Sequence, residues 1–254
     1  MKTTWIITSA INTNVGAYSP ELRAIQTHET LNSIQRFYPD ARFVLVEAGN
    51  PIDENNELYN SLKARCHVNL NMTGNDQIRH LQDHFLNKMT NKHEMGGATG
   101  LTKTVAELTI MTAVLDALKN HPDMSPATEV DRIFKISGRY QLSPLFDPTV
   151  YESAEAAGKY VFRRRDPSWM PDALESVGTE FGFSSRLWSF TPDRLDELIG
   201  KIDVMTEDCL TISNTHYVDI EHLLYKHIGT ENTLELDHTH LYGTVAPTGT
   251  CIYD

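Results

Sequence analysis

The segment FKISGRYQLSP, residues Phe134–Pro144, places a polar cluster directly after an apolar run. The run predicts a buried strand, and Ser137, Gly138, Arg139 and Tyr140 follow where that strand ends. A flexible glycine beside a permanent cation and a phenol is unusual at such a position. The cluster therefore marks the end of this strand as a candidate binding site.

The N-terminal sequence predicts that this strand belongs to a parallel sheet. Thr4–Ile11 and Phe43–Glu47 have the apolar, β-branched character of buried strands. Between them, Ser19 is suited to cap a helix that Pro20 begins. Strand, helix and strand in this order form a βαβ unit, and Arg132–Ser137 adds a further strand after a long helix. The carboxyl ends of all three strands are expected to open into one cleft.

The remaining pattern predicts an elaborated C-terminal half that belongs to the same body. We expect a single domain over residues 1–254, with a ligand-binding half at 1–143 and a second half at 144–254. The periodicity predicts helices at Asn56–Ala64, Gln77–Met89, Leu101–Leu118, Pro192–Met205 and Val218–Ile228, strands at His67–Leu70, Tyr160–Arg164 and Leu234–Tyr242, a mobile loop at Asn91–Gly100, a loop-rich stretch at Pro167–Phe183 and a loop-like tail from Gly243.

Composition excludes several classes of protein. A net charge of -12 argues against a general nucleic-acid binder, which needs a basic face. The three cysteines, Cys66, Cys209 and Cys251, are far apart and predict reduced thiols rather than disulfides or a zinc site. The opening MKTTWIITSAIN is too interrupted for a signal peptide, and no segment has the ~20 apolar residues of a membrane span. A cytoplasmic location is the expectation.

The order of elements, with strands ending in ITSAIN, VEAG and KISGRY, resembles the GT-A type of nucleotide-sugar glycosyltransferase over roughly Thr4 to Leu241. It looks most similar to the branch found in bacterial surface-polysaccharide clusters and in phages. The resemblance implies an α/β fold with a mainly parallel, Rossmann-like sheet, and a nucleotide-sugar donor bound over the strand ends. It also implies that Thr8, Ser9 and Ala10 approach the base and ribose of the donor. Glu47 would accept hydrogen bonds from the base or the ribose.

One departure from this family concerns the metal. The resemblance implies an Asp-x-Asp that holds Mn²⁺ or Mg²⁺ at the diphosphate, but the matching strand ends in Ser137-Gly138-Arg139. Arg139 has the planar fork that suits phosphate oxygens, Gly138 permits close approach, and Tyr140 can donate a hydrogen bond. Lys103 and Lys135 are possible helpers. The alternative is that Arg139 pairs with a structural carboxylate and Gly138 only turns the chain.

Two carboxylates are candidates for a catalytic base. Asp208 lies in a Glu-Asp pair that resembles the one from which inverting GT-A enzymes draw their base. Glu221 lies on the boundary of a helix whose Ile220, Leu223, Leu224 and His227 are predicted to face the core, and a partly desolvated carboxylate can deprotonate a sugar hydroxyl. We favour Glu221. Each is, alternatively, an ordinary exposed acid.

The acceptor is predicted to meet the segment after the strand at Tyr160–Arg164. Arg164 and Asp166 would contact the acceptor, and Trp169 would offer a platform for a sugar ring. The alternative is a solvated basic rim, since alternation lets only one or two of Arg163, Arg164 and Arg165 face one site.

His238 and His240 would share one face of a strand and could bind a metal with a further ligand. A role at the donor phosphate or in the structure is the alternative. Lys103 and Glu107 are spaced for a surface ion pair, although the helix start at Gly100–Lys103 could instead meet a phosphate.

Taken together, the sequence predicts an enzyme that moves a sugar from a nucleotide sugar to a hydroxyl of a glycan or other small acceptor, with an uncertain need for metal. A phage glycosyltransferase that acts on modified nucleobases in DNA is one alternative, although the acidic charge argues against it. A non-catalytic nucleotide- or carbohydrate-binding module is the other.

Overall fold

The computed structural model describes residues 1–13, 18–76, 78–80, 92–213, 215–245 and 249–254, and the backbone alone of 92–100, 102, 125 and 126. The strands are β1 (Thr3–Ser9), β2 (Arg42–Glu47), β3 (Val68–Asn71), β4 (Arg132–Ser137), β5 (Tyr140–Leu142), β6 (Tyr160–Arg163), β7 (Asp166–Pro167), β8 (Phe181–Gly182), β9 (Leu187–Phe190), β10 (Thr233–Leu236), β11 (Leu241–Thr244) and β12 (Cys251–Tyr253). The helices are α1 (Pro20–Phe37), α2 (Glu57–Ala64), α3 (Lys92–Asn120), α4 (Ser125–Thr128), α5 (Pro148–Glu152), α6 (Ala173–Ser176), α7 (Leu195–Ile212) and α8 (Ile220–Ile228).

The fold is α/β, and its central sheet has the order β10-β6-β9-β4-β1-β2-β3. Strand β1 lies in parallel between β2 and β4, as the sequence predicts. In the register Ser9 pairs with Glu47, and Thr8 pairs with Ser137. The ends of the three strands are therefore level, and their polar residues meet at one edge of the sheet.

The C-terminal half extends the same sheet. Strand β9 runs antiparallel to both β4 and β6, while β10 is parallel to β6. The sequence analysis missed β9, whose LWSF is too short for a periodic signal and lies beside a loop-rich stretch. A buried Arg132 also ties the two halves, because its guanidinium donates to the carbonyls of Tyr151, Ala156 and Lys159.

Two apolar cores lie on the two faces of the sheet. Trp5, Ile7 and Phe134 face α1 and α2, with the Trp5 and Phe134 rings stacked at 4.1 Å. Ile6 and Val44 face α3, α7 and α8. Strand side chains alternate between faces, so the centre of β1, Trp5–Ile7, is continuously apolar because both of its faces are covered. A three-stranded antiparallel sheet, β12-β11-β5, packs beside α1.

The prediction of a mobile loop at Asn91–Gly100 is wrong, because α3 is helical from Lys92. Its three glycines disfavour a helix by about 1 kcal/mol each relative to alanine. The turns from Leu101 onward are packed in the core, and this packing offsets the cost of the glycines because helix formation is cooperative. The predicted helix at Gln77–Met89 lies largely outside the described residues.

The C-terminal elements also correct the sequence analysis. Helix α8 begins at Ile220, and it buries His222 rather than His227, which is only partly buried. The predicted strand at Leu234–Tyr242 is two strands, β10 and β11, and the tail contains β12. Among the described residues, no helix has the length and apolar character needed to cross a membrane.

Candidate active site

The ends of β1, β2 and β4 form the floor of the candidate site. Gly138 donates its backbone N–H to the Thr8 carbonyl at 2.9 Å, which carries the pairing one residue beyond β4. The Ala10 carbonyl accepts a hydrogen bond of 3.1 Å from the Arg23 guanidinium of α1. Thr8, Ser9 and Ala10 are each partly exposed at this edge. The residues predicted to approach the base and ribose therefore lie together.

Glu47 is buried at the end of β2 and organises the neighbouring loops. Its Oε1 accepts hydrogen bonds from the backbone N–H groups of Ile11 at 2.9 Å and Gly49 at 3.1 Å. Its Oε2 is buried without a partner in the described part of the chain. Burial raises the pKa of Glu47, against the hydrogen bonds that it accepts. Glu47 thus stabilises the loops that follow β1 and β2, and a hydrogen bond from the Ser9 side chain also acts to lower its pKa.

Gly138 serves helix packing. A Cβ at this position would lie 3.0 Å from Thr27 Oγ1 of α1, and the Thr27 hydroxyl donates to the Gly138 carbonyl at 2.9 Å. Tyr140 follows, buried at the start of β5. The guanidinium carbons of Arg139 and Arg186 lie 5.7 and 5.9 Å from the centre of its ring. Both guanidinium groups therefore lie within cation–π distance of the Tyr140 ring.

Arg139 is a cation without a protein counter-ion in the described part of the chain. No hydrogen bond or ion pair of its guanidinium is found there, and its Nε is buried without a partner. Its charge contributes to lowering the pKa of Arg23 and of Lys103, after burial, which is the larger cause for both. We call Arg23, Lys103, Arg139 and Arg186 the cation cluster. Such a cluster favours an anionic ligand, because like charges repel one another and an anion relieves that repulsion.

Lys135 does not belong to the cation cluster, because it is fully buried and already paired. Its ammonium forms an ion pair with Glu107 of α3. It also donates to the Ser185 carbonyl at 2.7 Å and to Ser137 Oγ at 3.3 Å. The predicted Lys103–Glu107 pair is therefore replaced by a Lys135–Glu107 pair. Lys103 is exposed on α3, and no carboxylate partner is found for it among the described residues.

Glu221 lies in the first turn of α8 and is linked to Lys135 through Ser185. Its Oε1 accepts a hydrogen bond of 2.7 Å from the Ser185 hydroxyl, and the Ser185 carbonyl accepts from Lys135. Burial and the charge of Asp219 raise the pKa of Glu221 to about 7. The backbone of Glu221 packs against Gly182, where a Cβ would lie 3.2 Å from Glu221 Cβ. A carboxyl group with this pKa can accept a proton near neutral pH.

Asp208, the second base candidate, joins α7 to the last turn of α8. It accepts hydrogen bonds from Lys226 at 2.7 Å and His227 at 2.8 Å. Burial alone would raise the pKa of Asp208, but these hydrogen bonds hold it below its usual range. Glu221 is in the first turn of this nine-residue helix, so the structure places the two candidates at opposite ends of α8.

Trp169 is 70% exposed and lies beside α8. Its indole N–H donates to Asp219 Oδ2 at 3.2 Å, and its ring centre is 5.6 Å from that of Tyr217. Asp219 caps α8 two residues before Glu221. Trp169, the predicted aromatic platform, is therefore bonded to the residue that caps the helix of the favoured base.

The neighbouring arginines are engaged in ion pairs. Arg164 pairs with Asp237 at 2.5 Å, and Arg163 pairs with Asp166 at 2.5 Å. Each pair includes at least one exposed side chain, which agrees with the alternative of a solvated basic rim. Arg165 contacts the rings of Phe181 and Tyr225. The contribution of Arg164 and Asp166 to an acceptor site stays a prediction.

His238 and His240 line a separate pocket. Their ring centres are 5.7 Å apart, and they border a cavity of about 270 Å³ together with Phe146 and Tyr151. Arg139 borders another cavity, of about 160 Å³, and the two have no lining residue in common. Within the described ranges, no group of three His, Cys, Asp or Glu side chains has the arrangement of a metal site. The metal role of these histidines stays a prediction.

Comparison with known proteins identifies the fold. No family model matches the chain, and no curated protein matches it. Among solved structures, a galactosyltransferase, LgtC, bound to donor and acceptor sugar analogues, matches 92% of this chain and 73% of its own at a TM-score of 0.52 and 11% identity. The chain has the GT-A glycosyltransferase fold.

Two further structures with the GT-A fold resemble the chain. The mannosyltransferase Ktr4p from S. cerevisiae has a TM-score of 0.50 and 11% identity, over 90% of this chain and 65% of its own. Core-mannan synthase A from Aspergillus fumigatus, in its Mn/GDP form, has a TM-score of 0.50 and 9% identity, over 93% and 73%. Each structure is matched along nearly the whole of the present chain.

The residues at the end of β4 do not fit a divalent metal. Mn²⁺ and Mg²⁺ prefer carboxylate oxygens, whereas Ser137, Gly138 and Arg139 supply a hydroxyl, a carbonyl already bonded to Thr27, and a cation. The same edge of the GT-A sheet instead has the cation cluster. Sequence reasoning missed Arg23 and Arg186, because nothing in their local sequence shows that distant segments fold beside Arg139.

Proposed function

We propose that this protein is a nucleotide-sugar-dependent glycosyltransferase that binds the donor diphosphate with arginine and lysine side chains. The observation that carries the proposal is Arg139, a cation without a protein counter-ion in the described part of the chain, at the strand end of a GT-A fold. Open α/β sheets bind ligands outside the carboxyl ends of their strands. A diphosphate at that place would provide the negative charge for which Arg139 has no protein partner among the described residues.

The cation cluster would stabilise the leaving group. As the bond between the sugar and the diphosphate breaks, the electron pair and negative charge pass to the nucleoside diphosphate. The Arg139 guanidinium can donate parallel hydrogen bonds to phosphate oxygens, and Lys103 adds a second charge from α3. The partly exposed residues after β1 would contact the nucleoside, with Glu47 behind them at the end of β2.

Glu221 would act as the general base. An acceptor hydroxyl loses its proton to the Glu221 carboxylate while its oxygen forms the new bond to the sugar carbon. The Ser185 hydroxyl fixes the carboxylate, and the pKa of about 7 suits a group that must accept a proton near neutral pH. Trp169 would hold the acceptor ring beside this carboxylate. The acceptor would accordingly be a glycan or another small hydroxyl compound.

The alternatives account for fewer of these features. A DNA-modifying enzyme needs basic residues along a duplex, and the chain carries a net charge of -12. A non-catalytic module does not require a carboxylate with a pKa of about 7 beside an aromatic platform. Release of nucleoside diphosphate from a nucleotide sugar separates the transferase from the module.

Calorimetry with UDP, GDP, CDP and dTDP, each with and without EDTA, tests the donor site. We expect one of them to bind in both conditions, and its sugar conjugates to be turned over with a saccharide acceptor. Failure of all four to bind would refute the donor site. Binding that disappears with EDTA would refute the metal-independent form of the proposal.

A further inference from the structure

A chain of hydrogen bonds links the Trp169 loop to the first turn of α8. Asp219 Oδ1 lies 2.5 Å from His222 Nδ1, and His222 Nε2 lies 2.7 Å from Ser168 Oγ. His222 is only 2% exposed, although α8 is amphipathic and a histidine in its first turn could have faced solvent. We call Ser168, Asp219 and His222 the Trp169 clasp.

The partners of the clasp fix the tautomer of His222. A carboxylate oxygen accepts, so the geometry assigns a proton to Nδ1 beside Asp219 and makes Nε2 the acceptor for the Ser168 hydroxyl. Asp219 also accepts from the His222 backbone N–H at 3.0 Å as the cap of α8. Each polar atom of the imidazole therefore has a partner, which is the condition for a buried histidine to be stable.

The clasp holds Trp169 from both sides of the chain. Ser168 donates its backbone N–H to the Glu180 carbonyl at 2.7 Å, and Ser168 Oγ accepts from the Met170 N–H at 3.0 Å. The indole N–H of Trp169 donates to Asp219, the carboxylate that His222 orients. The loop backbone and the indole edge are thus fixed while 70% of the side chain stays exposed. An exposed tryptophan without such supports would sample several rotamers.

We propose that His222 is a positioning residue that sets Trp169 as a stacking platform for a pyranose ring beside Glu221. This inference rests on the proposed function and adds a substrate class, an acceptor with a pyranose unit. The ring face of Trp169 is open and its N–H is satisfied, so the platform offers apolar contact rather than a further hydrogen bond. Tyr217, with its ring tilted by 57° to the indole, borders the same surface.

The order Asp219, His222, Ser168 also resembles the triad of serine hydrolases. The Ser168 hydroxyl is held in a turn by the Met170 N–H, and its backbone is bonded to Glu180. These contacts assign Ser168 to the support of Trp169. Labelling of Ser168 by a fluorophosphonate would therefore overturn the assignment.

The experiment measures pyranoside binding by tryptophan fluorescence, which does not depend on turnover. Trp5 and Trp188 are buried, so the exposed Trp169 is the fluorophore that a surface ligand reaches. Methyl glucoside, methyl galactoside and methyl mannoside are titrated into the wild type, and Trp169→Phe identifies the Trp169 signal. His222→Asn keeps an N–H near the Nδ1 position but removes the acceptor for Ser168. Ser168→Ala removes the same hydrogen bond by deleting the donor. It keeps the test valid if the His222 variant does not fold.

We expect His222→Asn and Ser168→Ala each to weaken pyranoside binding by about two- to tenfold, the cost of ordering one or two side chains on binding. In turnover assays they raise the acceptor KM and leave the donor KM unchanged. His227→Asn is the matched control. It removes the second histidine of α8, which is only partly buried and lies at the far end of the helix. It should leave pyranoside binding unchanged even where it lowers Tm.

Two results would overturn the inference. Wild-type pyranoside affinity in both clasp variants, with loss in Trp169→Ala, would show that the clasp only stabilises the loop. No response of Trp169 to any of the three glycosides would exclude the platform itself. A third outcome separates the two proposals. If pyranosides change the Trp169 fluorescence in a clasp-dependent way but no nucleotide sugar is turned over, the stacking platform stands and the proposed transferase activity is refuted.

Discussion

The Ser185 hydroxyl donates a hydrogen bond of 2.7 Å to the Glu221 carboxylate. The carbonyl of Ser185 accepts from Lys135, which is paired with Glu107. A residue in the loop before β9 thereby joins the candidate base to the buried ion pair beneath the site. Glu221 is consequently fixed in position before any acceptor binds, which is what a general base requires.

The first prediction is that Glu221→Gln lowers kcat by on the order of a hundredfold or more, the usual scale for loss of a general base. Donor affinity should change little, because the amide removes the base without removing the cation cluster. Steady-state kinetics together with calorimetry of the nucleoside diphosphate check both parts. A variant that retains full kcat would exclude Glu221 and return Asp208 to consideration.

The pH dependence follows from the raised pKa of Glu221. A general base acts when deprotonated, so kcat should rise as the pH increases through about 7. For stability the sign is opposite: the contribution of the protonated form is complete below the unfolded pKa of about 4.3 and is lost as pH rises through about 7. Wild type should therefore lose Tm relative to Glu221→Gln across this window. A constant Tm difference between the two would contradict the raised pKa.

The third prediction concerns Arg139. A hydrogen bond to a charged group contributes roughly 1.5–3 kcal/mol, so Arg139→Ala should weaken nucleoside-diphosphate binding by about tenfold or more. Arg139→Lys should recover only part of the loss, because an ammonium lacks the planar fork. Arg36→Ala, in the last turn of α1, removes an exposed arginine and is the control for net charge. Calorimetry with and without EDTA decides the matter, and an indifferent Arg139→Ala would refute the role.

Asp208→Asn should lower stability and spare catalysis. Its bonds to Lys226 and His227 join α7 to α8, and a partly exposed ion pair contributes on the order of 1 kcal/mol at most. Because the folded pKa of Asp208 is depressed, this contribution is present above the unfolded pKa of about 3.9 and is lost as the pH falls through the folded value. Thermal unfolding at neutral and acidic pH measures the effect. A large fall in kcat at unchanged Tm would identify Asp208 as catalytic.

The fifth prediction tests the support of Arg139 by the small sheet. A Cβ at Gly243 would lie 2.5 Å from the Arg139 carbonyl oxygen and 2.5 Å from Tyr140 Cδ1. Gly243→Ala must therefore displace β5 or β11, at a cost of about 1–3 kcal/mol. We expect a lower Tm and weaker diphosphate binding together. Gly200→Ala, in α7, has no atom within 4 Å of the added Cβ and serves as the control.

The parallel core could be predicted from the sequence, because its signals are local. The β1 and β2 segments each contain a continuous apolar run, as strands covered on both faces do, and Ser19 with Pro20 predicts the start of α1. The polar residues that follow each run predicted the location of the candidate site, since parallel strands end at the same edge. The glycines before Leu101 misled the prediction, because helix propagation depends on packing of later turns that composition alone does not show.

The sequence alone determined the parallel core of the sheet, the ends of β1, β2 and β4 and the types of side chain that follow them, while the tertiary structure decided which of those side chains have partners. Lys135 finds Glu107 at a separation of 28 residues, Glu221 finds Ser185 at 36, and His222 finds Ser168 at 54. Arg139, with a similar local setting to Lys135, finds no carboxylate in the described ranges. A hydrogen-bond partner is chosen by the packing of distant elements, so no local pattern could have separated the paired lysine from the available arginine.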